Sequence, residues 1–148
     1  MLDPSDEFAR RQRHYEKKHP RELQAVRVNL VFCIESLNNG VPPHQINSGF
    51  IHTEGQGVVA IDQKGQGKNL AQTRLYLYAE VETQTLHIIT LGDKKSQRED
   101  IRTCRNYVES LRKARELAQT QQTEIEESNA NHEKNVQEYD GDGPGDVA

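Results

Sequence analysis

Apolar residues in the first third of the chain recur at helical spacing. Leu23, Val26, Leu30, Ile34 and Leu37 are separated by 3, 4, 4 and 3 residues, which places them on one face of a helix. Pro20 suits the first turn of that helix, where its missing N–H has no intrahelical partner to lose, and Asn38-Asn39-Gly40 supplies a stop. A mostly polar helix precedes it, beginning near Asp3 or Ser5 and ending at Lys18, with Phe8, Ala9 and Tyr15 as its few core-facing residues. His19-Pro20 divides the two, because the residue before a proline is pushed out of helical backbone. The pattern predicts a helical hairpin, with no strand discernible ahead of it.

After Val41-Pro42-Pro43 the period shortens. Apolar runs at 46–53 and 57–63 flank Glu54-Gly55-Gln56-Gly57, which predicts a strand, a turn and a strand. Lys64-Gly65-Gln66-Gly67-Lys68-Asn69 reads as a basic, mobile loop. Residues 73–81 alternate, with Leu75, Leu77, Ala79 and Val81 on one face and Arg74, Tyr76, Tyr78 and Glu80 on the other. In 85–91, Leu86, Ile88 and Thr90 oppose His87, Ile89 and Leu91. Four consecutive strands with short connections predict an antiparallel meander. Ser96-Gln97-Arg98-Glu99 then has the spacing of a capping box, and Ile101, Cys104, Val108 and Leu111 form the stripe of a helix that must lie on the sheet. The expected fold is α+β over residues 1–117: a helical hairpin, a four-stranded antiparallel sheet and a C-terminal helix packed on it.

Composition changes the picture at the C-terminal end. Residues 118–148 are rich in Gln, Glu and Asn and finish in a Gly/Asp/Pro run. Ile125, Val136 and Tyr139 are too sparse to offset a backbone entropy of about 1–2 kcal/mol per ordered residue, so a fraying helix end followed by disorder is expected there. Charge divides at the same place. Residues 1–115 hold 18 Lys and Arg against 14 Asp and Glu, whereas 116–148 hold one Lys against nine acids. The net charge of -4 therefore conceals a mildly basic body and an acidic tail. No run approaches the roughly 18 apolar residues that span a bilayer, and the first residues lack the basic-then-apolar pattern of a secretion signal. No membrane association and a cytoplasmic location are expected. Cys33 and Cys104, far apart and outside any ligand spacing, read as small buried apolar residues.

The chain lacks the spacings of nucleotide loops, nucleophile elbows, zinc proteases and calcium loops, so neither a cofactor nor a metal is expected. One constellation stands out. Arg74, Tyr76 and Tyr78 share the outer face of the third strand, His87 can stand on the adjacent fourth, and Lys94, Lys95 and Arg98 follow at its exit. Cationic groups so placed can bind a phosphodiester, stabilise charge at phosphorus and protonate a leaving oxygen. The competing expectation is a plain solvated sheet surface, with His52 a satisfied strand histidine rather than a base. Arg10, Arg11, Arg13, Lys17 and Lys18 are expected to form a solvated helix face.

Two motifs within residues 22–111 resemble the RelE/ParE superfamily of bacterial toxin–antitoxin systems. Thr73-Arg74-Leu75-Tyr76-Leu77-Tyr78 is similar to the family's R-x-x-Y strand, with tyrosines two and four residues after the arginine. Leu91-Gly92-Asp93-Lys94-Lys95-Ser96-Gln97-Arg98-Glu99-Asp100-Ile101 resembles the G-D-K-x-x-Q-x-x-D-I junction of its RelE-like and addiction-module killer members. The resemblance implies a small cytoplasmic toxin, usually a metal-independent endoribonuclease acting on mRNA, often at the ribosome, and neutralised by a cognate antitoxin encoded next door. Arg74 would match the strand arginine placed for phosphate contact, and Lys94 the basic position after the last strand. The chain departs from the family in having no recognisable strand before the helices, no C-terminal catalytic tyrosine, and an acidic extension. On this reading Arg74, Lys94 and Arg98 hold the phosphate while His52, His87 or Tyr78 move protons. Two alternatives use the same scaffold: a gyrase-directed toxin of the ParE branch, and a non-catalytic binding module whose surface centres on Tyr76 and Tyr78.

Overall fold

The computed structural model describes residues 1–46 and 48–142. Their elements run β1 (Leu2–Pro4), α1 (Asp6–Lys18), α2 (Pro20–Asn38), a 3-10 turn (Pro43–Gln45), β2 (Ile51–Gly55), β3 (Val58–Ile61), β4 (Thr73–Glu80), β5 (Thr85–Asp93) and α3 (Gln97–Asp142). The chain divides into a compact unit, Met1–Val108, and a second beginning at Glu109. The helical hairpin has the expected local causes. Ser5 caps α1 by accepting from Phe8 N, Asp6 and Glu7 occupy the positive end of the helix dipole and Lys17 and Lys18 the negative end, and Pro20 opens α2.

The sheet is five-stranded and mixed, in the order β1-β5-β4-β3-β2, rather than four-stranded and antiparallel. β2 to β5 form the expected meander, and β1 adds a parallel strand at the β5 edge. Backbone groups hold β1: Leu86 N donates to Met1 O, Ser5 N to Ile88 O, and the Met1 ammonium to Gln84 O. Three exposed residues paired through their peptide groups leave no hydrophobic alternation in the sequence, which is why this strand is not legible there.

Both faces of the sheet are covered. Ile61, Leu75, Leu77, Leu86, Ile88 and Leu91 pack against Phe8, Tyr15, Leu23, Val26 and Cys33 of the hairpin. On the opposite face, Val58, Ala60, Tyr76 and Ile89 pack against Cys104 and Val108 of α3. The face that carries Arg74, Tyr76 and Tyr78 is therefore the floor beneath α3, not an outer surface, and Tyr76 is fully buried. A bulge in β5, where Ile89 and Thr90 lie across from Tyr76, shifts the alternation so that Leu91 joins the hairpin-side core.

Residues 118–142 are helical, in place of the expected disorder; 143–148 lie outside the described residues. From Gln97 to Asp140 the sequence contains neither Gly nor Pro, and its Ala, Gln, Glu, Lys and Arg are strong helix formers. Pairs such as Glu109–Lys113 and Gln122–Glu126 add spacing-of-four contacts along it.

Candidate functional site

Two-residue alternation along β2 and β3 brings polar side chains together on the α3 face. His52 pairs with Ala60, and Asp62 follows β3 one step beyond the Ile61–Leu75 pair, at the level of Arg74. The His52 Nε2 lies 2.6 Å from Asp62 Oδ2. That carboxylate is buried and firmly mounted: Oδ1 accepts from Lys64 N at 2.8 Å, and the Asp62 N–H donates to Phe50 O. Buried Asn29 of α2 fixes the same segment by donating to the carbonyls of Asp62 and Lys64, and Gln66 in turn donates to Asn29 Oδ1. An acceptor at Nε2 places the proton of the neutral ring there, so Nδ1 carries the lone pair. The imidazole side chain keeps 28% of its surface exposed, and Nδ1 has no partner among the described residues.

Beside this dyad, Arg74 Nη1 donates to Glu54 Oε1 at 2.9 Å, with both side chains less than one-fifth exposed. Glu54, expected in a turn, sits instead inside β2 at a bulge, where the register skips between Thr53 and Gly55. Gly55, Gln56 and Gly57 all take positive φ to close the hairpin. Two-residue alternation from His52 already puts Glu54 on the same face as Arg74, and the register skips to Gly55 just after it. Arg74 Nε, Tyr76 OH and Thr90 Oγ1 are buried without a hydrogen bond inside the protein, so spare polar capacity is concentrated here. Burial, reinforced by nearby Asp100, raises the Tyr76 phenol well above its usual range, so it keeps its proton at neutral pH. Burial likewise pushes the Cys104 thiol up to about 12, which removes it as a nucleophile at neutral pH.

Lys94, Lys95 and Arg98 are exposed at the same end of the sheet, since Arg74 pairs with Gly92 and Thr73 with Asp93 immediately before the turn. The turn is closed by Asp93 and Ser96, each donating its backbone N–H to the other's side-chain oxygen. Ser96 Oγ donates onward to Asp100 Oδ2 at 2.7 Å, so an Asp93–Ser96–Asp100 arrangement takes the place expected of a Ser96–Glu99 capping box. Gly92 is obligatory, because a Cβ there would overlap Asp100 Oδ2 and Ser96 Oγ. Arg11, expected on a solvated face, reaches from α1 to Asp100 and to Leu91 O.

His87 and Tyr78 lie elsewhere. They pair at the far end of β4 and β5 with stacked rings 6.1 Å apart. His87 is buried, its Nδ1 3.1 Å from Tyr107 OH and 3.3 Å from Asp3 Oδ2, and its Nε2 3.4 Å from Glu80 Oε1. The sequence-derived set thus separates. His52 and Arg74 share a face with Glu54 and Asp62, Lys94 and Arg98 stand on the adjoining rim, and His87 and Tyr78 occupy another site. Glu54 and Asp62 are the residues that sequence reasoning missed. Extending β2 by two residues would have put His52 and Glu54 on one face, whereas Asp62 gives no local signal because its partner is on another strand.

Comparisons with family models, with curated proteins and with solved structures give no match. Among the described residues, no helix is long and apolar enough to cross a membrane, and no three His, Cys, Asp or Glu side chains converge as a metal site would require.

Proposed function

We propose that this chain cleaves RNA by intramolecular transfer of the scissile phosphate, with Glu54 and His52 moving protons and Arg74 binding the phosphate. One observation carries the reading: a partly exposed imidazole clamped by a buried carboxylate shares a sheet face with a carboxylate–guanidinium pair. The Glu54 carboxylate takes the proton of the ribose 2′-OH as that oxygen bonds to phosphorus. The bond from phosphorus to the 5′-oxygen breaks, and the departing oxygen takes a proton from the His52 imidazolium, which Asp62 stabilises. Arg74 offsets the charge that builds on the phosphoryl oxygens, at a site where low exposure strengthens each interaction. Lys94 and Arg98 extend the cationic rim along which an RNA backbone would lie.

The wider reading is a toxin of a bacterial toxin–antitoxin pair, acting on mRNA, free or on the ribosome, in the cytoplasm, and held by a cognate antitoxin. Its support is the junction at Gly92–Ile101, where Gly92 is required for packing, together with β1, which supplies the strand missing from the sequence pattern. The test is purified full-length chain incubated with RNA, alone and with translating ribosomes, in the presence of EDTA. Products ending in a 2′,3′-cyclic phosphate and a 5′-OH are expected. Products with a 5′-phosphate, or loss of cleavage in EDTA, would overturn the chemistry. Intact RNA under both conditions would move the assignment to the gyrase-directed or binding-module alternatives. Induction in a bacterial host without an antitoxin should arrest growth, and vigorous growth at high soluble protein level would count against both toxin readings.

A further inference from the structure

A groove of about 350 Å³ lies outside this site, between the first turns of α2 and the loop from β3 to β4. Arg21, Gln24, Ala25 and Val28 line it at steps of 3, 1 and 3, one continuous stripe of the helix, and Gln66 and Leu70 form the facing wall. That wall is held in place. Arg21 donates to Lys68 O, Ala71 N donates to Glu22, and Gln66 donates to buried Asn29. The groove has an apolar floor of Ala25, Val28 and Leu70, and Val28 is left 40% exposed. Its rim carries the Arg21 guanidinium and two primary amides; among the described residues Gln24 has no partner, and Gln66 uses only its nitrogen. Lys68, whose carbonyl accepts from Arg21, is exposed beside it, whereas the Lys64 ammonium turns to Asp62, 3.6 Å away.

An apolar slot edged by groups that both donate and accept, with cations alongside, suits a flat heteroaromatic ring joined to a phosphate. We infer that this groove binds one unpaired base of a single-stranded RNA, with Arg21 and Lys68 facing the attached phosphate. The inference rests on the RNA-cleavage reading and deepens it by adding a base-selecting subsite. The connection is physical: Gln66 holds Asn29, and Asn29 holds the carbonyls of Asp62 and Lys64, the segment that mounts His52. A base seated against Gln66 therefore bears on the strand end that positions the imidazole.

The test uses the full-length His52→Ala protein, which binds without cleaving, titrated with each of the four ribonucleoside 5′-monophosphates and with ribose 5-phosphate as the base-free control. Saturable shifts of the backbone amides of residues 21–28 and 64–70 in a nitrogen–proton correlation spectrum are expected with at least one nucleotide. Ribose 5-phosphate should bind at least about tenfold more weakly, the scale of forgoing a single hydrogen bond. Val28→Glu, at an exposed helix position, should abolish the shifts with the melting temperature retained, and Gln24→Ala should weaken binding. Equal binding of ribose 5-phosphate, or nucleotide shifts confined to other residues, would overturn the inference. So would an unchanged cleavage-site preference in Val28→Glu. Nucleotide binding here by a wild-type protein that cleaves no RNA would instead sink the proposed function and leave the groove standing.

Discussion

Among the described residues, two histidine–carboxylate clusters lie on the same face of one sheet, and they are built to opposite ends. His52 meets Asp62 at 2.6 Å, keeps more than a quarter of its surface exposed, and has one ring nitrogen unengaged among the described residues. His87 lies within 3.4 Å of Tyr107, Asp3 and Glu80 and is almost fully enclosed. The first is a clamped ring with a free working edge. The second joins three elements: Asp3 belongs to β1, Glu80 to β4 and Tyr107 to α3. Identical side-chain chemistry is thus left open to solvent in one place and enclosed in the other, and burial with partners on both nitrogens separates the two.

Substitution should pull these roles apart. His52→Ala is expected to lower RNA cleavage by roughly 10²–10⁴-fold, the range for removing an acid–base group, beyond the about 1–3 kcal/mol of stability lost when the buried Asp62 carboxylate gives up this partner. His87→Ala should leave the rate per folded molecule unchanged. If cleavage followed His87 and survived removal of His52, the assignment of roles would have to be reversed.

Arg74→Ala should lower the rate by about 10²–10³-fold, and it strands Glu54 without the guanidinium, so a drop in stability is expected as well. Arg74→Lys restores charge without the planar fork and should recover stability more than rate. A variant that folds less well but cleaves at the wild-type rate would show Arg74 to be purely structural.

Gly92→Ala, at the rim of the first region, forces a methyl group against Asp100 and Ser96. About 1–3 kcal/mol of destabilisation is expected from overpacking, read from urea unfolding midpoints. In the second region, His87→Ala takes one partner away from the Glu80 carboxylate, and about 1–3 kcal/mol is expected by the same measurement.

The smallest effect is one of pH. The Ser96 backbone N–H, donating to Asp93, holds that carboxyl below its ordinary value of 3.8, against a smaller opposing contribution from desolvation. A group whose folded pKa is lowered stabilises the protein above its unfolded pKa, and the contribution fades as pH falls through the folded value. Asp93→Asn should therefore reduce stability at neutral pH, and its deficit against wild type should shrink below about pH 4. A deficit that stayed constant down to about pH 2 would mean that the carboxylate charge is not what stabilises the turn.

Local pattern determined much of this protein. The spacing from Leu23 to Leu37, Pro20, and the alternation from Thr73 to Val81 specify the hairpin and the meander, because helix and strand periods express burial on one side. The same cues lead to Arg74 and His52. They miss β1, which is held by peptide groups, and the continuation of α3, where helix propensity prevails without a core. Only the tertiary structure decided the rest. Whether the Arg74–Tyr76–Tyr78 face is open depends on where α3 lands, and α3's stripe fits a sheet without saying which side. The bulge at Ile89 reverses an inside–outside assignment by a single residue. Asp62 became the partner of His52 ten residues away through strand register, a relation between hydrogen-bonded backbones that no side chain in the intervening sequence encodes.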